Sequence, residues 1–210
     1  TSIINEIKDN ISFTIDFTIN PDIIRNNTPV LYFGDEKQVV TYDYVTFQQE
    51  VEILPNNFLA FYLSNDNGFP YVVLSENSTK NLTLAASQKL NINEKTNISI
   101  TWQYTLNKAT LSLYFNGTFV GSVVDQRSTT NIPLDITNIV FSNNYLGKTE
   151  FSSDPFYRGT IEKFRIWDIN LNIAQIQSRL NEKILSNDIL FSNLLLNSNL
   201  DDNNNLHFDS

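Results

Sequence analysis

Residues 159–180 read GTIEKFRIWDINLNIAQIQSRL. The run opens as a strand, passes through an aromatic at Trp167, breaks at the polar Asp168-Ile169-Asn170, and ends with helical spacing. Ile173, Ile176 and Leu180 fall at i, i+3 and i+7, a single apolar stripe about two turns long. Asn172 stands where an N-cap is needed. No other segment has convincing helical spacing, so this stretch predicts an all-β chain with one short helix near residues 173–180.

The strands are read from period-two alternation. In ISFTIDFTI, residues 11–19, Ile11, Phe13, Ile15, Phe17 and Ile19 face one way. Ser12, Thr14, Asp16 and Thr18 face the other, as in a half-buried antiparallel strand. Further β runs are VLYF, QVVTYDYVTFQQEVEI, FLAFYLSN, YVVLSE, LTLAA, NISITWQY, ATLSLYF, FVGSVV and NIVFS, separated by Asn, Asp, Gly and Pro clusters. Within TLSLYFNGTFVGSVV, Asn116-Gly117 between apolar runs predicts a two-residue type I′ hairpin. A tight turn there sets Phe115 opposite Thr118, Tyr114 opposite Phe119 and Leu113 opposite Val120. Leu111, Leu113, Phe115 and Val120 then share the core face, and Tyr114 pairs with Phe119 on the other.

The stretch that opens at Gly159 resembles the closing segment of laminin-G-like domains of the concanavalin A-like superfamily. The matching residues are Gly159, Ile161-Glu162, Phe164-Arg165-Ile166-Trp167, the polar turn, Leu171 and the helix. The hairpin Leu113-Tyr114-Phe115-Asn116-Gly117-Thr118-Phe119-Val120-Gly121 is similar to the same family's L-Y-x-N-G-x-x-V-G. FTIDFTI and ITNIVFS complete the likeness, which covers about residues 10–182. A looser resemblance, in asparagine-rich texture, hairpin and closing strand, is to the jelly-roll half of clostridial neurotoxin receptor-binding regions. The resemblance implies a two-sheet antiparallel jelly-roll sandwich. Leu171 and the helix stripe would plug its open end, with Trp167 as a broad apolar surface beneath them. The domain would span 1–182. Residues 183–210 would be an extension, either a displaced strand of the same sandwich or the start of a following module.

Composition narrows the function. The 210 residues carry 14 basic against 23 acidic side chains, a net charge of −9, and no Lys/Arg cluster suited to phosphates or anionic lipid. There is no Cys, so thiol chemistry and disulfides are excluded. No segment has the apolar length of a membrane span. The opening Thr1-Ser2-Ile3 and the absence of Met suggest a processed chain or a piece of a longer one. The Asn-x-Ser/Thr triplets at Asn10, Asn26, Asn77, Asn81, Asn97 and Asn116 are read as products of an Asn-rich composition.

No catalytic constellation emerges. The superfamily's glucanases carry an E-x-D-x-x-E strand, whereas here Glu50 and Glu52 stand on one strand face without a third partner in step. His207, the only histidine, lies in a polar tail. Calcium is possible in two oxygen-rich loops, through Asp66 and Asn67 or Asp201 and Asp202, although neither has EF-hand spacing. Sugar recognition needs aromatic faces beside amides and carboxylates. Tyr114, Phe119, Phe69, Tyr71, Tyr145, Phe156 and Tyr157 are the candidate ligand-binding residues. The sequence therefore predicts a non-catalytic, secreted or cell-surface binding module of a larger protein such as a toxin or adhesin. Its partners would be a glycan or a protein receptor, together with neighbouring domains. A spacer or assembly domain is the alternative, and a glycoside hydrolase stands third.

Overall fold

The computed structural model describes residues 12–43, 48–64, 69–76, 80–105, 107–126, 128, 134, 136, 143–149, 151, 153–198 and 206–208, with 36–55 and 206–208 described as backbone. The strands are β1 (Ser12–Pro21), β2 (Thr28–Asp43), β3 (Gln48–Leu63), β4 (Tyr71–Glu76), β5 (Lys80–Ala85) and β6 (Thr96–Thr105). They continue with β7 (Lys108–Phe115), β8 (Thr118–Gln126), β9 (Asn143–Leu146) and β10 (Gly159–Trp167). The helix α1 (Ile173–Arg179) follows, then β11 (Leu194–Ser198) and β12 (Leu206–Phe208). One sheet runs β11-β10-β1-β6-β7-β8, with β12 also on β10, and the other runs β5-β4-β3-β2-β9. Every pairing is antiparallel, and the fold is an all-β jelly-roll sandwich with one short helix. The long run at 38–53 is the two arms of one hairpin, in which Val40 pairs with Val51. The predicted strand NIVFS, residues 138–142, lies outside the described residues.

Alternation builds the core. Phe13, Ile15, Phe17 and Ile19 of β1 are buried, as are Ile98, Ile100 and Trp102 of β6 and Leu111, Leu113 and Phe115 of β7. They meet Leu31, Phe33, Leu59, Phe61, Leu63, Val72 and Leu74 from the second sheet. Phe17 sets its ring edge-on to Phe61 at 5.7 Å, and Phe33 sets its ring edge-on to Phe164 at 6.2 Å.

β10 keeps its inward residues only by means of a bulge. Ile161, Phe164 and Ile166 are all in the core, a spacing that strict alternation forbids. The register with β1 shifts between Asp16 and Thr18, and Lys163 takes φ 49°, so one extra residue is absorbed there. Lys163 Nζ then reaches the Leu180 carbonyl at the end of the helix, 3.3 Å away. The hairpin at 116–117 has φ 48° and 70°, as type I′ requires, and Tyr114 faces Phe119. Leu113, however, pairs with Gly121 rather than Val120, because a bulge follows the turn and leaves Val120 free to point into the core.

The second face of β1 is not solvated as the half-buried pattern implies. Thr14, Asp16 and Thr18 are buried, because the segment after β10 folds across this outer face. The helix therefore does not plug an open end. Thr14 Oγ1 donates to the Ile169 carbonyl (2.7 Å) and accepts from the Leu171 amide (2.9 Å), pinning the turn to the sheet. Trp167, Leu171, Ile176 and Ile184 form a small second core there. Asn172 and Gln175 make a reciprocal capping box that starts the helix at the predicted position. The buried positions of α1 are Ile176 and Arg179, whereas Ile173 is 45% exposed. Arg179 turns inward because its guanidinium lies over the Trp167 ring (5.7 Å) and pairs with Asp188 (2.7 Å).

After this second core the chain returns to the sandwich. β11 and β12 both pair with the outer edge of β10, through Ile166 with Leu196 and Thr160 with His207.

Candidate functional site

The outer face of the five-stranded sheet is built differently. Phe58, Ala60 and Tyr62 of β3 point away from the core that Leu59, Phe61 and Leu63 enter. Cross-strand register places Tyr62 beside Tyr71, and Tyr32 beside both Ala60 and Tyr145. The result is a row of rings: Tyr145 stacks on Tyr32 (6.3 Å), Tyr32 on Phe58 (5.7 Å), and Tyr62 on Tyr71 (5.1 Å).

The loop after β9 supplies the rest. Gly147 hydrogen-bonds back to Val30, and Thr149 Oγ1 accepts from the Phe151 amide, turning the Phe151 ring edge-on over Phe58 at 5.6 Å. The same Thr149 hydroxyl donates to Asp154 Oδ2 at 2.9 Å. Asp154 in turn receives the Tyr62 hydroxyl. Across the face, Tyr71 donates to Asn27 Oδ1 at 2.8 Å, Asn27 being held at φ 54° in the turn before β2.

These groups enclose an open groove of about 210 Å³ lined by Asn27, Phe58, Tyr62, Tyr71, Val73, Phe151 and Asp154. Burial pushes the Asp154 carboxyl upward, against the Thr149 and Tyr62 hydrogen bonds that lower it. Burial, with Asp154 nearby, pushes the Tyr71 phenol up to about 12, so it stays a neutral donor near neutral pH. Ring faces beside an amide and a carboxylate can hold a flat apolar ligand face and bond its hydroxyl edge.

The sequence matches the model of a family described as the concanavalin A-like lectin/glucanases superfamily over residues 5–177. The chain belongs to that superfamily. Among solved structures it is similar to the CBM40 of the Ruminococcus gnavus IT-sialidase bound to α2,3-sialyllactose, at 14% identity and TM-score 0.58, covering 82% of this chain and 84% of that one. It is also similar to domain 4 of a GH43 extracellular arabinanase from Geobacillus stearothermophilus in complex with arabinotriose, at 15% identity and TM-score 0.55, covering 82% and 68%. A third likeness is to a leech intramolecular trans-sialidase, at 13% identity and TM-score 0.55, covering 85% of this chain and 24% of that one. No curated protein matches the sequence. At these identities the likenesses establish the superfamily fold.

Within this superfamily domain the seven candidate rings are dispersed. Tyr71 lines the groove, and Tyr145 lies at the far end of its ring row with Lys148 Nζ 4.0 Å over its face. Phe69 sits outside the groove lining, with Lys89 Nζ 5.2 Å from its ring centre. Tyr114 and Phe119 meet at 5.6 Å on the other sheet, where Tyr114 also packs on the helix cluster. Phe156 is 58% exposed, while Tyr157 is fully buried and donates to the Thr160 carbonyl at 3.0 Å. Asp66, Asn67, Asp201 and Asp202 lie outside the described residues, as do the side chains of Glu50, Glu52 and His207. Among the described residues no group of three or more His, Asp or Glu could hold a metal ion, and no helix is long and apolar enough to cross a membrane.

Phe58, Tyr62, Phe151, Asn27 and Asp154 escaped the sequence reading. A signal exists for two of them, because FLAFYL places bulky residues on both faces of one strand. Such a strand carries apolar material on its second side as well. Asp154 and Phe151 had none, since a loop brings them in.

Proposed function

We propose that this domain is a non-catalytic glycan-binding module of a larger exported protein, and that the groove on the five-stranded sheet is its binding face. The observation that carries the reading is one groove in which the partly exposed rings of Tyr71, Phe58 and Phe151 stand beside Asn27 and Asp154. A spacer domain has no need of such a face. Superfamily membership supports the reading, as do similar modules solved with arabinotriose and sialyllactose.

Binding of the full chain to a broad glycan array tests it, with calcium and then with chelator. Saturable binding to a related set of sugars is expected. Replacing Tyr71 by Ala removes a ring face and the donor to Asn27, and weakens that binding by at least about tenfold. Unchanged binding in a folded Tyr71→Ala variant would place the site elsewhere, and a blank array would refute the glycan reading.

A further inference from the structure

We infer that the groove selects uncharged sugar rings and turns away acidic ones, with Asp154 as the residue that sets this preference. The inference rests on the glycan-binding reading above. Among the described residues that line the groove, Asp154 is the only one with an acidic side chain, and none is Lys or Arg. Tyr62 and Tyr71 line it as neutral phenols, because burial raises both. The described cation on the ring row, Lys148, is seated over Tyr145 at the far end.

The hydrogen-bond inventory points the same way. A carboxylate offers about four lone-pair sites. Thr149 and Tyr62 take up part of that capacity at Asp154. The remainder can only accept, and a neutral sugar presents hydroxyl donors in adjacent pairs. Asn27, with Oδ1 receiving Tyr71, has its NH2 end to offer a ring or hydroxyl oxygen. Phe58, Phe151 and Val73 provide the apolar wall for the C–H face of the ring. The volume, about 210 Å³, is below the roughly 300–1,000 Å³ usual for drug-sized ligands, and suits a single ring better than a chain.

An acidic sugar would bring a second carboxylate into this space, where no described lining residue offers a guanidinium or ammonium to receive it. Recognition of a carboxylate ordinarily depends on such a partner. Two like charges about 4 Å apart in a partly desolvated groove repel strongly enough to weaken binding by at least about tenfold.

The test is an array carrying neutral oligosaccharides, each beside a counterpart extended by a terminal sialic or uronic acid, probed with the full chain. Wild-type protein is expected to bind neutral members in a Tyr71-dependent manner, with acidic counterparts at least about tenfold weaker. Asp154→Asn should narrow that gap, and Asp154→Glu, which keeps the charge, should preserve it. The wild-type comparison stands even if a variant loosens the loop. Equal or tighter binding of acidic counterparts by wild type overturns the selectivity and leaves the glycan reading intact. A blank array refutes both.

Discussion

Asp16→Ala is expected to destabilise the domain by about 3 kcal/mol at pH 7, the sum of two groups left without their partner. Asp16 Oδ2 accepts the Trp167 indole N–H at 2.7 Å, and Oδ1 lies 3.7 Å from the Arg165 guanidinium. Both partners are essentially fully buried. Arg165 retains the Arg179 and Glu182 carbonyls at 3.0 and 2.6 Å, but these do not neutralise its charge. The same site sets a pH dependence. Burial outweighs the attraction of Arg165 and the Trp167 hydrogen bond, and Asp16 is pushed up to about 6 from 3.8. A carboxyl raised in the folded state binds its proton more tightly there. Its contribution is therefore fully present below pH 3.8 and is lost as pH rises through about 6. Two units correspond to about 3 kcal/mol. Urea unfolding at pH 4 and pH 7 should show the wild type gaining stability at the lower pH relative to Asp16→Asn, which keeps an acceptor for Trp167 but cannot titrate. Asp188, held low by Arg179, acts in the opposite sense below its ordinary range, so the difference between the two proteins is the informative quantity. Identical pH profiles would remove Asp16 from this role.

Gly159→Ala should cost about 3–4 kcal/mol, for a reason independent of burial. Gly159 opens β10 at φ 140°, in a region that side chains other than hydrogen rarely adopt. A Cβ there would overlap the Asn20 carbonyl oxygen and stand 2.7 Å from the Tyr157 hydroxyl and 2.8 Å from Pro21 Cα. Two of these are backbone atoms of the paired strand, so they cannot move aside without breaking the β1–β10 register. The change should appear as a lowered urea midpoint with an unchanged slope. Near-wild-type stability would show that the β1–β10 entry can relax.

Much of this fold is legible in the sequence because period-two alternation and one turn motif carry it. FTIDFTI, NISITWQY and the Asn116-Gly117 hairpin each announce a face and a partner. The bulges are not legible in this way. Ile161 and Phe164 are three apart, and only the left-handed Lys163 returns both to the core. The covering of β1's second face is equally hidden, since Thr14 and Asp16 look like solvent-facing residues until Leu171 and Trp167 arrive from about 150 positions away. Of the candidate site, Tyr71 and Tyr145 were found because exposed aromatics in an amide-rich chain invite that reading. Tyr62 and Phe58 were hidden by belonging to a strand that is apolar on both sides. Phe151 and Asp154 depend on a hydrogen-bonded loop, which leaves no periodic trace.

The return of the chain to the outer edge of β10 bears on where this protein can be cut. That edge takes two short strands, β11 and β12, contributed by residues beyond 182. A fragment ending at the helix would leave the amides and carbonyls of Gly159–Trp167 open along one side of a nine-residue strand. Unpaired edges of that length recruit other chains. Residues 1–182, which look like the whole motif on paper, should therefore self-associate in size-exclusion chromatography where residues 1–210 do not.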